Sequence, residues 1–315
     1  MRVIFMGTPD FAVGTLDELV LAGHEVVAVV TQPDKPKGRS GALAMSPVKE
    51  AALKYNLTVL QPQKAREPEF VEQLKEFNAD VIVVVAFGQI LPAEIINMPK
   101  YGCINVHASL LPKYRGASPI QWAVIDGCEY SGVTTMKMDE GLDTGDILLV
   151  KKVKLDEKET GGSLFDRLSS IGAKLLIETL SGVENGSITP VKQNDAESTY
   201  VKMLSKSFGK MDFSKDAVTL ERLIRGLNPW PSAYTFLNGK MFKIWEADCM
   251  AEVDLTDKQR NAEPGTVTDI NKDSFIVRCA NGALIVKEVQ LEGKKRMDSG
   301  SFLRGGHLEA ETVLG

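Results

Sequence analysis

A chain of 315 residues, 43% hydrophobic and 25% charged, has the composition of a globular protein long enough for two cores, which excludes a disordered or collagen-like chain. Its formal net charge of -5 argues against a uniformly basic nucleic-acid binder, but the acidic surplus falls within residues 1 to 205 and the remainder is neutral, so a local basic face stays open. Cys103, Cys128, Cys249 and Cys279 lie far apart, which suggests neither a disulfide framework nor a zinc ribbon and fits a reducing compartment.

From Met1 the sequence runs straight into a strand pattern, without a leader or a long apolar run, and a cytoplasmic protein with no membrane segment is expected. Short apolar runs at residues 2 to 6, 25 to 31, 58 to 60, 81 to 86 and 103 to 107 read as strands. Helical periodicity separates them at residues 11 to 22, 47 to 55 and 68 to 76, the second with Ser46 as cap and Pro47 at the first helical position. This alternation predicts a doubly wound, Rossmann-like and mostly parallel α/β sheet, whose ligands bind beyond the carboxyl ends of its strands.

An antiparallel pair at residues 133 to 138 and 147 to 155, then a helix at 163 to 180, would close a first domain spanning residues 1 to 188. Polar residues 189 to 207 have the composition of a linker. After a helix at 220 to 227, strands at 233 to 237, 240 to 246, 265 to 270, 275 to 280 and 284 to 290 predict a small OB-like β-barrel domain over residues 208 to 315, with Asn238-Gly239 and Asn281-Gly282 as hairpin turns.

At the end of the fifth strand, the two-residue period puts the Asn105 carboxamide and the His107 imidazole on one face and Val106 on the other. A histidine in that position can be structural or functional. The following residues, 109 to 119, can form a ligand wall or an ordinary strand-to-helix connection, with Ser118 capping the helix that Pro119 begins. Asp143 sits between Gly141 and Gly145, either as a turn residue or in a tight loop that brings it to another strand end. Gly7 to Gly14 follows a strand as a dinucleotide loop would, but the Gly-x-Gly-x-x-Gly spacing is missing and Gly7 reads as a tight turn. Between Asp34 and Lys49 stand Lys35, Lys37 and Arg39 with no acid among them. In the second domain Lys294, Lys295, Arg296 and Arg304 offer further cations, and Trp230 reads as a core residue.

Asn105-x-His107, Ser109-Leu110-Leu111-Pro112 and Asp139-x-Gly141-x-Asp143-Thr144-Gly145, in this order and spacing, resemble the signature of the folate-dependent formyltransferases. Within that family, the opening from Phe5 to Ala12, the stretch from Arg115 to Pro119 and a second domain of this size are similar to members that act on tRNA, over essentially the whole chain. The core motifs show no departure, and Gln89 occupies a position where variation between members is expected.

The resemblance implies that Asn105, His107 and Asp143 are catalytic and that 10-formyltetrahydrofolate is the cosubstrate. Its ring system would lie near Phe87, Gly88, Gln89, Ile90, Leu91, Asp139, Glu140, Gly141 and Leu142, and its reactive end beside Ser109, Leu110, Leu111 and Pro112. It further implies initiator methionyl-tRNA as acceptor, Lys35, Lys37 and Arg39 as tRNA contacts, and a monomer with no metal. An amino sugar nucleotide or water as acceptor, or a noncatalytic RNA-binding protein of the same fold, are the competing readings. The residue types suit the chemistry without the name: an amine attacking a formamide carbon creates a negative oxygen that needs fixed donors, and protons must leave the attacking nitrogen and reach the departing one.

Overall fold

The computed structural model describes residues 1 to 37, 41 to 306 and 308 to 315. They form two compact units: residues 1 to 119, 130 to 154 and 165 to 201, and residues 120 to 129, 155 to 164 and 202 to 315.

The first unit is built on a seven-stranded sheet: β1 (Arg2–Gly7), β2 (Glu25–Val30), β3 (Val59–Leu60), β4 (Val81–Val85), β5 (Cys103–His107), β6 (Tyr130–Lys137) and β7 (Asp146–Lys154), ordered β7-β6-β5-β4-β1-β2-β3. The first five are parallel, while β6 runs antiparallel to both β5 and β7. Every residue of the β-branched run Val81–Val85 is buried, as expected for a central strand covered on both faces. On one face Ile4, Met6, Ile82, Val84 and Cys103 pack with Phe70, Val71 and Leu74 of the helix Pro68–Glu76. On the other, Gly172 of the long helix Gly161–Glu184 lies so close to Val106 that a Cβ there would stand 2.9 Å from its side chain. The small residue lets the helix settle on β5, so the partners of Val106 on the strand, Asn105 and His107, face the opposite layer. This is the doubly wound sheet the sequence predicts.

Local signals explain where elements begin. Ser46 accepts from the Lys49 backbone N–H at 3.1 Å, with Pro47 opening the helix Pro47–Lys54. Ser118 does not act as the expected cap of the helix Pro119–Ile125: its φ is +63°, whereas a capping residue takes an extended conformation. Residues 189 to 201 are not free of the first unit. Val191 bridges to Ile147, and Tyr200–Val201 pairs in parallel with Arg115–Gly116.

In the second unit, β8 (Ala233–Leu237), β9 (Lys240–Met250), β10 (Val267–Ile270), β11 (Phe275–Arg278) and β12 (Ala283–Leu291) form an antiparallel sheet ordered β8-β9-β12-β11-β10. Asn238 and Gly239 both take positive φ, 50° and 74°, the conformation of the two-residue hairpin turn expected there. Irregular register around Glu246 lets β9 continue past the expected end at residue 246 to Met250. Instead of pairing directly, the edges β8 and β10 are both reached by the carboxyl-terminal residues: Val267 donates to the Thr312 carbonyl at 2.8 Å and Gly315 to the Phe236 carbonyl at 3.1 Å. Trp230, expected in the core, is 52% exposed, because Pro229 and Pro231 on either side deny it a place in a regular hydrogen-bonded element.

The centre of this unit is aromatic. Phe242 is fully buried and packs on Phe275 and Phe302, with ring centroids 6.2 and 5.0 Å away. Replacing it with alanine leaves a cavity between two rings, and Phe242→Ala is expected to cost about 3–5 kcal/mol, read as a fall in the urea midpoint of the transition assigned to this unit.

Candidate active site

Strand β5 ends at a layer where side chains are shielded but not sealed. Asn105 is 9% exposed and His107 is 7% exposed. Among the described residues the Asn105 carboxamide has no hydrogen-bond partner, which leaves both its donors and its acceptor available to a ligand.

His107 is held from two sides. Its Nε2 stands 2.9 Å from the Tyr114 carbonyl oxygen, and its Nδ1 stands 3.7 Å from Asp143 Oδ2. Nε2 facing a carbonyl carries a proton and donates it. Nδ1 then faces the Asp143 carboxylate from beyond direct hydrogen-bond distance. Asp143 is itself fixed: its Oδ2 accepts from the Gly116 backbone N–H at 2.7 Å, and its backbone adopts φ +55° in the loop between Gly141 and Gly145. At Gly145 a side chain would collide with the Lys137 carbonyl, so glycine there permits the loop to close on β6. The structure therefore brings the imidazole and the carboxylate together, with Asn105 two residues before the histidine on the same face of β5.

The segment after β5 is clamped by a residue that no sequence motif marks. Thr134, fully buried and paired in register with His107, donates its hydroxyl to the Ser109 carbonyl at 2.7 Å and accepts from the Leu111 N–H at 3.2 Å. Ser109 donates to the Lys113 carbonyl at 2.7 Å, and Leu111 is buried, while Leu110 and Pro112 are half-buried.

Beyond β4, Phe87 and Leu91 are buried, Gly88 takes φ +80°, and Ile90 is 90% exposed. Gln89 turns back to the preceding layer, accepting from the Ala65 N–H at 2.7 Å. In the loop before Asp143, Asp139 accepts from the Gly141 N–H and the Thr144 hydroxyl at 3.0 and 2.6 Å, Glu140 is exposed and Leu142 is 62% exposed. Two bare apolar side chains thus stand on separate loops of the first unit.

Residues Lys35–Lys37 and Ala42–Ala44 form a short antiparallel ribbon. Arg39 and the side chain of Lys37 lie outside the described residues. Lys35 donates to Gln32 Oε1 at 2.7 Å, and Gln32 in turn donates to the carbonyls of Phe87 and Gly88, both at 3.1 Å. Lys49 is committed to Asp34 at 2.7 Å, and its hydrogen bond, with that of Gln61, holds the Asp34 carboxyl below the usual carboxylate range. In the second unit, Arg296 pairs with Glu288 and stacks on Trp245 at 4.7 Å, leaving Lys294 and Lys295 exposed.

A profile described as formyl transferase matches residues 1 to 180, and one described as formyl transferase, C-terminal domain, matches residues 203 to 307. The chain belongs to the formyl transferase family. Curated relatives agree across the full length: the methionyl-tRNA formyltransferase of Lachnospira eligens is 71% identical, with all of both chains covered, and that of Agathobacter rectalis is 59% identical, with 98% of each covered. Among solved structures, WlaRD, a sugar 3N-formyl transferase studied in the presence of dTDP and 5-N-formyl-THF, shares the fold at a TM-score of 0.67 with 20% identity, covering 94% of this chain and 99% of its own.

Several residues around His107 and Asp143 act in ways that no sequence motif discloses. Tyr114 and Gly116 act through backbone atoms, Thr134 sits in an interior strand of ordinary composition, and Gln193 lies in a stretch that reads as linker. Among the described residues no group of three or more His, Cys, Asp and Glu side chains is gathered as a metal would require, and no helix is long and apolar enough to cross a membrane.

Proposed function

We propose that this chain transfers the formyl group of 10-formyltetrahydrofolate to the free amino group of methionyl initiator tRNA, releasing tetrahydrofolate. The observation that carries the acceptor is the full-length 71% identity to a protein named methionyl-tRNA formyltransferase. The unpartnered Asn105 carboxamide beside the His107 and Asp143 pair supports the chemistry.

The residues fit such a donor. Ile90 and Leu142 offer bare apolar surface for a heterocycle, alongside the buried Phe87 and Leu91. In this reading, Phe87 to Leu91 and Asp139 to Leu142 receive the ring system, and Ser109 to Pro112 flank its reactive end. The donor supplies an activated formyl carbon bonded to nitrogen, so this chain contributes no nucleophile of its own.

Its work is to orient the reactants and stabilise charge. When the amine attacks, negative charge grows on the formyl oxygen, and Asn105 donates a side-chain N–H to it with no existing bond to break. His107 gives a proton to the departing folate nitrogen as its bond to the formyl carbon breaks, and takes one from the attacking amine, so that the ring ends as it began. Asp143, bonded to the Gly116 N–H, stabilises the imidazolium and keeps the ring in place, as a carboxylate does for histidine in other proton-transfer sites. Lys35, Lys37 and Arg39 contact phosphates of the tRNA, with Leu43, which is 71% exposed, at the adjoining strand of the ribbon. The reading is completed by a monomeric, cytoplasmic enzyme.

With formyl-labelled folate and charged initiator tRNA, amino sugar nucleotide or water as acceptor, label is expected on methionine alone. Asn105→Ala should lose roughly two to three orders of magnitude in kcat, and His107→Ala should abolish transfer to background. Label on the sugar nucleotide, or near-normal turnover in Asn105→Ala, contradicts the proposal. Neutralising Lys35, Lys37 and Arg39 together is expected to raise KM for tRNA and flatten its salt dependence, with folate affinity unchanged as the check on folding.

A further inference from the structure

Both oxygen partners of His107 are held by one stretch, residues 193 to 201, which lies between the two regions matched to the family. Gln193 is 7% exposed, and each end of its carboxamide is used twice. Its Nε2 donates to the Asp143 carbonyl at 2.9 Å and to the Gly145 carbonyl at 2.7 Å, while its Oε1 accepts from Arg115 Nε at 3.1 Å and Nη2 at 2.9 Å. Arginine offers only donors, so the end of the amide facing Arg115 is the oxygen, and the NH2 must point at the Asp143 loop. Arg115 is 1% exposed and is fixed in turn by Asp195 at 2.7 Å and by the Tyr200 hydroxyl at 2.9 Å.

The same stretch grips the other partner of the imidazole. The Thr199 hydroxyl accepts from the Tyr114 N–H and the Thr199 carbonyl from the Arg115 N–H, each at 2.8 Å, and the Val201 carbonyl accepts from the Ala117 N–H at 3.1 Å. A Cβ on Gly116 would stand 2.6 Å from the Val201 carbonyl oxygen, so the backbone approach here requires glycine. One strap therefore touches the loop carrying Asp143 on one side. On the other it touches the segment carrying the Tyr114 carbonyl and the Gly116 N–H.

We infer that Gln193, locked by Arg115, is a positioning residue that sets where the Asp143 carboxylate stands relative to His107. The inference rests on the reading of Asn105, His107 and Asp143 as the reacting centre. It assigns a purpose to a buried neutral amide whose hydrogen-bonding positions are all occupied: the amide holds a left-handed Asp143 backbone in one place, and a shift of the order of 1 Å in a group so close to the chemistry is enough to cost about a hundredfold in rate.

Two substitutions and a double-mutant cycle test it. Gln193→Met removes all four hydrogen bonds without adding charge. Gln193→Glu keeps the pairing to Arg115 but sets a carboxylate oxygen against the two loop carbonyls. Each is assayed below its own thermal midpoint, alone and combined with Asp143→Asn. Each is expected to lower kcat about 10- to 100-fold, with KM for methionyl-tRNA within about threefold of the parent, and to add less than about threefold on the Asp143→Asn background, because a residue acting through Asp143 has little left to disturb. Parental kcat in the folded single variants overturns the inference, as does a loss that multiplies in full with that of Asp143→Asn. Unimpaired turnover in Asp143→Asn itself instead removes the reading of the reacting centre, and the inference falls with it.

Discussion

An imidazole held between a carbonyl and a carboxylate is the contact from which the rest of this site follows. His107 reaches Tyr114 O with one nitrogen and faces Asp143 with the other, and neither neighbour can donate a proton to it. The ring is therefore held in one orientation, one strand period from an amide that has no hydrogen-bond partner among the described residues. For acyl transfer to an amine, such polar groups fixed in place before negative charge appears are what is required, so that little reorganisation accompanies the reaction.

The fold supplies that geometry through a few constraints. Parallel strands with buried, β-branched interiors bring loop after loop to one edge, and β5 presents its alternate residues there. Gly172 lets a long helix close over the back of β5 at Val106. The antiparallel β6 then fixes the segment after His107 through Thr134, and the loop between β6 and β7 returns Asp143 to the site. Each element is ordinary alone. Their common consequence is that two side chains of one strand, Asn105 and His107, and one of a loop, Asp143, are gathered at one edge of the sheet.

Much of this was legible in the sequence because it depends on local pattern. The runs that became β1 to β5, the Ser46 cap and the Asn238-Gly239 turn follow from periodicity, capping and backbone freedom, which neighbouring residues determine. The pair Asn105 and His107 could be placed on one face for the same reason. What the sequence did not disclose is long-range. Gln193 looks like any polar residue of a connector until Arg115, 78 positions away, turns its oxygen inward. Tyr114 and Gly116 contribute only backbone atoms, for which no side chain gives notice. Ser118 misled because a serine before Pro119 is a cap by local rule, yet its backbone is left-handed. Trp230 misled for a related reason: large aromatic residues favour burial, but two flanking prolines keep this one at the surface.

Family membership and site geometry meet at Asn105, since the proposed chemistry needs its free carboxamide to find the formyl oxygen. A crystal structure with a stable formyl-folate analogue bound tests this most directly. The account predicts the formyl oxygen within about 3 Å of the Asn105 side-chain nitrogen, with His107 against the same group. A folate bound with its formyl group turned away from both residues would contradict it.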